Sequence, residues 1–250
     1  SSRGPESAEG VEHLKSVSEG SFWEHLEEFR RRLFIVLGSL TVSVLAAFVF
    51  SRRLMDIIIS KSPMHLRTLA PAEAFSAHLN LSLAAGLIAA SPVFFYQFWR
   101  FVSPGLYRSE RRKAVRAAAV CVLLFLAGAA FAWFLMLDPA LVVFRSFETG
   151  SIEGSWSLAN FIGFLGRFVM IFGTAFQLPV LILMLVGLGV VTPAGLSKYR
   201  RHIIVGLLMA AAILTPPDPL TQVMLALPLY LLFELSLLSA RIGYRRKTGS

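Results

Sequence analysis

Residues 25 to 50 read HLEEFRRRLFIVLGSLTVSVLAAFVF and place two contrasting segments side by side. The first nine residues hold two glutamates and three consecutive arginines, whereas residues 34–50 contain no ionisable side chain. The second segment predicts a membrane-spanning helix, because a hydrocarbon core of about 30 Å needs about 20 apolar residues. The arginines would anchor that helix at one face of the membrane. They do not explain the glutamates beside them.

The composition of the whole chain also indicates a membrane protein. Of the 250 residues, 56 % are hydrophobic and 16 % are charged, and the mean hydropathy is +0.67. A soluble domain of this length would carry more charge, about 25 % of its residues. Little of the chain lies outside the apolar runs, so one helical membrane domain accounts for its length.

Six apolar runs predict an all-α, polytopic membrane protein with six transmembrane helices. Pro179 should kink the fourth run. Helices five and six are expected to be short, because the fifth run would span only about 20 Å and Pro228 interrupts the sixth. The runs cover residues 33–50, 75–96, 114–137, 159–190, 202–214 and 219–240.

The distribution of Lys and Arg predicts the orientation. With a cytoplasmic N-terminus, the inner segments carry 18 basic residues and the outer segments 5, so both termini are expected to be cytoplasmic. This asymmetry accounts for the net charge of +9 without a nucleic-acid partner. We expect a disordered polar tail over residues 1–20, a six-helix membrane domain over 21–241 and a short basic tail over 242–250.

The charges next to the first span have a simple explanation in helix electrostatics. A capping box over residues 21–24 predicts a helix start near Phe22. Glu27 would then pair with Arg31, and Glu28 with Arg32, each pair contributing about 0.2–0.5 kcal/mol. On this interpretation the charges stabilise a helix and set its topology, and they bind nothing.

A second stretch favours a binding role instead. Residues 96–113 read YQFWRFVSPGLYRSERRK, with Glu110 as the one acid among several bases. A loop that only sets topology needs bases and no acid. A partly desolvated carboxylate at a membrane boundary favours a guanidinium partner, and neighbouring bases keep it ionised. Glu28 and Glu110 could therefore accept two arginines of one ligand.

Five blocks, in order along the chain, resemble the TatC family, the multispanning receptor subunit of the twin-arginine protein translocase. HLEEFRRRL is similar to the family's N-terminal HLxELRxRL pattern. The other blocks are PAEAF (71–75), YQFWRFVSPGLYRSERR (96–112), FGTAFQLPV (172–180) and ILTPPDPLTQVMLALPLYLLFE (213–234).

The resemblance implies a receptor for signal peptides that bear a consecutive arginine pair. With the single-span subunits TatA and TatB, and in several copies per complex, it would move folded cargo proteins across the cytoplasmic (inner) membrane, driven by the proton gradient. No enzymatic activity, cofactor or metal is expected, and the sequence holds no metal-ligand or nucleophile motif. The residues implied to bind the signal peptide are Glu28, Arg30, Phe101, Glu110 and Arg111.

The resemblance also implies a binding site for a partner's helix at the outer end of spans five and six, and Gln177 in span four could contribute to it. Gln177 lies in mid-span where many relatives carry glutamate, and a glutamine cannot carry a proton on and off. It could bond an inserted helix, at about 0.6–2 kcal/mol, or a helix of its own chain. The short fifth span could likewise be covered by a partner or form a hairpin against its own bundle. The expected residues are Gln177, Thr215, Asp218 and Gln222.

The main alternative function is a proton- or ion-coupled small-solute transporter. Such proteins place ionisable residues at the membrane midplane, between broken helices. In this sequence the mid-span segments are nearly uncharged and the acids lie at the membrane boundary. Arg167 is expected to snorkel toward the outer face. Glu234 is expected to pair with a base near the inner end of span six, where Arg241 lies seven residues later.

Overall fold

The computed structural model describes residues 6–61, 66–106, 111–146, 156–214 and 219–248. Within these ranges the chain is almost entirely helical, apart from two strands of two residues each. The elements are α1 (Glu6–Val49), α2 (Ser51–Lys61), β1 (Leu66–Arg67), α3 (Glu73–Leu106), α4 (Arg111–Phe131), a π-helix (Ala132–Met136), α5 (Leu137–Ser146), β2 (Trp156–Ser157), α6 (Leu158–Ala175), α7 (Leu178–Gly187), α8 (Pro193–Lys198), α9 (Arg200–Leu214) and α10 (Pro219–Thr248).

Five helical segments in the described ranges are long and apolar enough to cross a membrane. They confirm the predicted all-α polytopic fold and match every predicted run except the fifth. That run forms α9, whose 15 residues extend about 22 Å and fall short of the hydrocarbon core. In α10 the apolar segment is only 18 residues long. The five segments are Leu26–Val49, Glu73–Val102, Val115–Ser146, Leu158–Gly187 and Ala226–Gly243.

The first helix starts earlier than the capping box predicts. Helix α1 begins at Glu6 rather than near Phe22, so the backbone of residues 6–20 is helical and continuous with the first span. This segment contains no proline, and a serine such as Ser21 inside a helix costs less than about 0.7 kcal/mol relative to alanine. The division of the chain into a membrane domain with two tails stays a prediction.

The fourth span is broken at the predicted place. Helix α6 ends at Ala175 and α7 begins at Leu178, so Phe176 and Gln177 form a turn between them. Pro179 accounts for the break, because it has no N–H to donate to the carbonyl of Ala175, four residues earlier. Gln177 consequently lies at the junction of two half-helices.

The third span is longer than predicted. Its helix continues past residue 137 to Ser146, through the π-helical turn Ala132–Met136. In this turn the N–H of Leu137 donates to the carbonyl of Ala132, five residues earlier. The predicted end is wrong because a single acid, Asp138, interrupts the apolar run without ending either the helix or the span.

Helix α3 lies at the centre of the bundle, against α1, α4 and α6. Glycines allow the close contacts. A Cβ on Gly86 would lie 2.7 Å from the Cα of Val44 in α1. One on Gly128 of α4 would lie 2.6 Å from the carbonyl oxygen of Phe172 in α6. Small residues serve this purpose in membrane helices, whose association depends on close packing more than on the hydrophobic effect.

The main apolar core surrounds α6. The ring of Phe172 is fully buried and lies 5.6 Å from that of Phe131 and 5.1 Å from that of Phe168. Tilted aromatic pairs at such distances contribute beyond the area that they bury. The most buried α6 side chains, at most 4 % exposed, are Phe161, Ile162, Leu165, Phe168 and Phe172.

The bundle has two distinct ends. At the arginine end, α1 carries Arg30–Arg32 beside the last turns of α3. At the far end α3 begins at Glu73, β1 pairs in parallel with β2, and Phe48 of α1 lies 6.4 Å from Phe75 of α3.

Glu73 holds the far end together. Its carboxylate accepts hydrogen bonds from the N–H groups of Leu69 and Ala70, just before α3. It also accepts from the hydroxyl of Ser157 and, at 3.1 Å, from the N–H of Ala159 at the start of α6. Glu73 thus joins the start of α3 to Ser157 and Ala159, which lie 84 and 86 residues later in the sequence.

We expect Gly128→Ala to destabilise the protein by about 1–3 kcal/mol, because overpacking forces α4 and α6 apart. The midpoint of thermal unfolding in detergent, followed by circular dichroism, measures the effect. Gly38→Ala is the matched control, since nothing lies within 4 Å of the added methyl group. Equal midpoints for Gly128→Ala and the wild type would contradict the close contact.

Glu73→Gln should loosen the far end, because a neutral amide is a weaker acceptor than a carboxylate for the same hydrogen bonds. Hydrogen–deuterium exchange at the N–H groups of Leu69, Ala70 and Ala159 should become faster. Asp56→Asn removes an exposed carboxylate from nearby α2 and should leave these rates unchanged. Unaltered exchange in Glu73→Gln would show that the carboxylate does not hold these segments.

Candidate functional site

At the arginine end, Glu28 and Arg32 form the ion pair that their spacing predicts. The Nε of Arg32 donates to Oε1 of Glu28 at 3.1 Å, and its Nη2 donates to the same oxygen. The side chain of Arg32 is 13 % exposed and that of Glu28 is 37 % exposed. The guanidinium thus holds the carboxylate from the protein side, while the carboxylate reaches the surface.

Gln97 connects this pair to a second helix. The Nη1 of Arg32 donates to Oε1 of Gln97, near the end of α3, at 3.1 Å. Sequence reasoning missed Gln97, which lies 65 residues from Arg32; its place in the block 96–112 was the available signal. The other predicted pair is absent from the described structure, since no bond joins Glu27 to Arg31 and both side chains are exposed.

An aromatic contact joins the same two helices. Phe101 of α3 lies 5.6 Å, ring centre to ring centre, from Phe29 of α1. Phe101 is a predicted site residue, and the structure places it next to the residue that follows Glu28. Sequence analysis did not assign Phe29 to the site, although its position directly after Glu28 was a signal.

Arg30 is exposed and lines a surface depression of about 610 Å³ along α1. The depression combines two guanidinium groups, a carboxylate and apolar side chains. Its other described lining residues are Glu27, Arg31, Phe34 and Ile35.

The second predicted acid falls outside the described residues. Glu110 belongs to the undescribed stretch 107–110, and Arg111 is described only as the first backbone position of α4. Because α3 ends at Leu106 and α4 begins at Arg111, the connection that carries Glu110 is short. The predicted joint site of Glu28 and Glu110 remains a prediction.

Gln177, in the break between α6 and α7, uses the donor of its side-chain amide, but not the acceptor, for hydrogen bonds within the described structure. Its Nε2 donates to the carbonyl of Cys121 in α4 at 3.0 Å, and to that of Gly173 at 3.5 Å. Its Oε1 is buried and has no hydrogen-bond partner within the described structure. The donor thus bonds the protein's own helices, as one interpretation from sequence expects, and the binding of a partner's helix stays a prediction.

Gln222 bonds within its own hairpin. Its Nε2 donates to the carbonyl of Leu208 at 2.9 Å, which joins α10 to α9. This bond agrees with a hairpin that packs against itself. Thr215 and Asp218, the other two predicted residues of this group, lie in the undescribed stretch 215–218.

The base that pairs with Glu234 is Arg200. Its Nη2 donates to Oε2 of Glu234 at 2.8 Å, and the hydroxyl of Tyr230 donates to Oε1 at 2.9 Å. Arg241, the nearer base in sequence, donates to Ser197 instead. The network connects the start of α9 to α10, and sequence reasoning had no signal for a partner 34 residues away.

Arg167 meets a local acceptor. Its side chain is exposed and its Nε donates to the carbonyl of Gly163, one turn earlier, at 3.1 Å. Gly163 lies nearer the start of α6, so the side chain extends toward the far end of the bundle, and snorkelling at the outer face stays a prediction. No cluster of three His, Cys, Asp or Glu side chains that could hold a metal occurs among the described residues.

These features define a polytopic helical membrane protein with a charge-paired carboxylate at one end and polar groups between its helices. The chain belongs to the TatC family: the family model described as Sec-independent protein translocase protein (TatC) matches residues 24–228. The Aquifex aeolicus protein named Sec-independent protein translocase protein TatC is 37 % identical over 231 residues, covering 90 % of this chain and 96 % of the relative. The Bacillus subtilis protein TatCy is 33 % identical over 242 residues, 94 % of each chain.

Solved structures agree with this assignment. A crystal structure titled twin arginine translocase receptor TatC in DDM is 37 % identical in sequence and superposes with a TM-score of 0.79, over 86 % of this chain and 99 % of that chain. A second crystal structure of a twin arginine translocase receptor TatC gives a TM-score of 0.77 at 34 % identity, over 88 % of this chain and all of that chain.

Proposed function

We propose that this protein is the receptor subunit of a Sec-independent translocase and binds twin-arginine signal peptides at its arginine end. The observation that carries the proposal is the carboxylate of Glu28, held at the surface by Arg32 in a chain whose solved relatives are titled twin arginine translocase receptors. A carboxylate fixed in direction suits a guanidinium ligand, which forms two parallel hydrogen bonds. Binding alone is required, so the protein performs no covalent chemistry.

Glu110 supplies the second carboxylate of the proposed receptor site. It lies in the connection between α3 and α4, and α3 brings Gln97 and Phe101 to the Glu28 region. One carboxylate for each arginine explains why a consecutive pair is recognised. Phe29 and Phe101 provide an apolar surface on which the peptide's residues beside the arginines can pack.

The distribution of polar groups favours a receptor over a small-solute transporter. A proton-coupled transporter needs a group that titrates near the midplane. The break in the fourth span carries Gln177 instead, and an amide does not titrate. Glu28 and Arg32 lie at the start of the first span, and the acid inside the last span, Glu234, is paired with Arg200.

We place the receptor in the cytoplasmic (inner) membrane with both termini cytoplasmic. This orientation puts 18 basic residues in the inner segments and 5 in the outer segments, as the positive-inside rule requires. TatA and TatB, the single-span subunits, would bind along spans four to six. Two observations support this location: the buried Oε1 of Gln177 has no partner in the described structure, and α9 is too short to cross the core alone.

Glu28→Gln and Glu110→Gln should each weaken binding of a twin-arginine peptide about 10-fold or more, since a charged hydrogen bond contributes about 1.5–3 kcal/mol. The double variant should be weaker still. Equilibrium binding of a fluorescent peptide to the purified receptor in detergent measures the effect. Glu24→Gln, which changes an exposed glutamate one turn earlier, is the control. Unchanged affinity in a folded double variant would contradict the proposed site.

The combined change Gln177→Leu, Thr215→Val and Gln222→Leu should reduce association with TatA and TatB, because it removes side-chain groups that could bond a partner's helix. Peptide binding should survive, since the distribution of basic residues predicts that Glu28 and residues 215–218 lie on opposite faces of the membrane. Site-specific crosslinking from α9 and α10, beside the peptide-binding assay, separates the two functions. Normal crosslinks, or loss of both activities together, would contradict the proposed partner site.

A further inference from the structure

Arg32 is more deeply embedded than a residue that only sets membrane topology needs to be. Its side chain is 13 % exposed, and all three of its nitrogens donate hydrogen bonds, two to Glu28 and one to Gln97. Its neighbour Arg31 has an exposed side chain. The two arginines carry the same charge, so the difference lies in the contacts.

Two roles for this arrangement are physically possible. Arg32 could be a competitor that occupies Glu28 until a peptide arginine displaces it. Displacement would remove the bonds of a largely buried guanidinium to Glu28, so that only its bond to Gln97 remained. Leaving a buried charged group without its ion-pair partner costs free energy. A carboxylate has about four lone-pair sites, so Glu28 can accept from a ligand while Arg32 stays in place. The contacts therefore favour the second role, in which Arg32 stays bonded to Glu28 while a ligand binds.

We propose that Arg32, anchored by Gln97, is a positioning residue that makes the receptor select arginine over lysine; this inference rests on the proposed function. Both bonds from Arg32 converge on Oε1 of Glu28, which fixes the plane of the carboxylate relative to α1. A planar guanidinium fork depends on that alignment, whereas an ammonium group is a point charge that binds in many directions.

The charge of Arg32 acts in the same direction. By balancing Glu28, it weakens the general attraction that any cation would feel at this end of the bundle. Hydrogen bonds from a ligand to Glu28 depend on geometry, and geometry favours arginine. Gln97 supports this balance because it is a neutral acceptor: it fixes Arg32 without drawing its charge away from Glu28.

The test compares two peptides, one with the arginine pair and one with both arginines replaced by lysine, at one ionic strength. Their dissociation constants are measured on the full-length receptor in detergent, and the ratio of the two constants is the readout. Four receptor variants are used: Arg32→Gln, Arg32→Lys, Gln97→Leu and the control Arg31→Gln.

We expect Arg32→Gln to reduce the preference for the arginine peptide about 5-fold or more without weakening the lysine peptide. Arg32→Lys keeps the charge but loses the fork and should also reduce the preference. Gln97→Leu leaves every charge in place and should reduce it through the lost anchor, so it tests the proposal even if the Arg32 variants fold poorly. Arg31→Gln should change both affinities by a similar factor and leave the preference intact.

Three results would overturn the inference. An unchanged preference in Gln97→Leu and the Arg32 variants would show that Arg32 does not position Glu28. Tighter binding of the arginine peptide in Arg32→Gln would identify Arg32 as a competitor. Equal weakening of the binding of both peptides would show that Arg32 contributes only to the stability of the receptor. Glu28→Gln separates this inference from the proposed function: if it leaves both peptides bound as before, the receptor site itself lies elsewhere.

Discussion

The packing of α1 against α3 is the contact on which the site depends. Without a side chain at Gly86, the backbone of α1 approaches α3 closely at Val44. At the arginine end the same pair of helices brings Arg32 to Gln97 and Phe29 to Phe101. A lateral shift of either helix would disturb both contacts together, because both pairs join the same two helices. Recognition at the surface thus depends on packing within the membrane.

Local features of this chain could be predicted from sequence, and contacts between distant segments could not. The spans follow from hydropathy, the break at Pro179 from its missing N–H, and the Glu28–Arg32 pair from its spacing of four residues. The partner of Arg32 on α3 and the partner of Glu234 on α9 lie 65 and 34 residues away. Their pairing depends on how the helices pack: the block 96–112 marks Gln97 as a candidate residue, but it does not identify Arg32 as its partner.

The break in the fourth span shows how one residue creates several properties. Because Pro179 interrupts the hydrogen-bond ladder, Gln177 lies in a turn, and its amide can reach the carbonyl of Cys121 on α4. The turn also leaves the Oε1 of Gln177 buried between helices. Helix interruption here serves as a means of presenting polar groups inside a membrane protein.

The hydrogen bonds of Glu73 have a consequence for synthesis of the protein. Ser157 emerges from the ribosome 84 residues after Glu73, which corresponds to an interval of about 4–17 s at about 5–20 residues per second. During that interval two of the carboxylate's four partners do not yet exist. The far end therefore forms late, after the third span has been made and as α6 begins. Until then the start of α3 lacks the hydrogen bonds that connect Glu73 to Ser157 and Ala159.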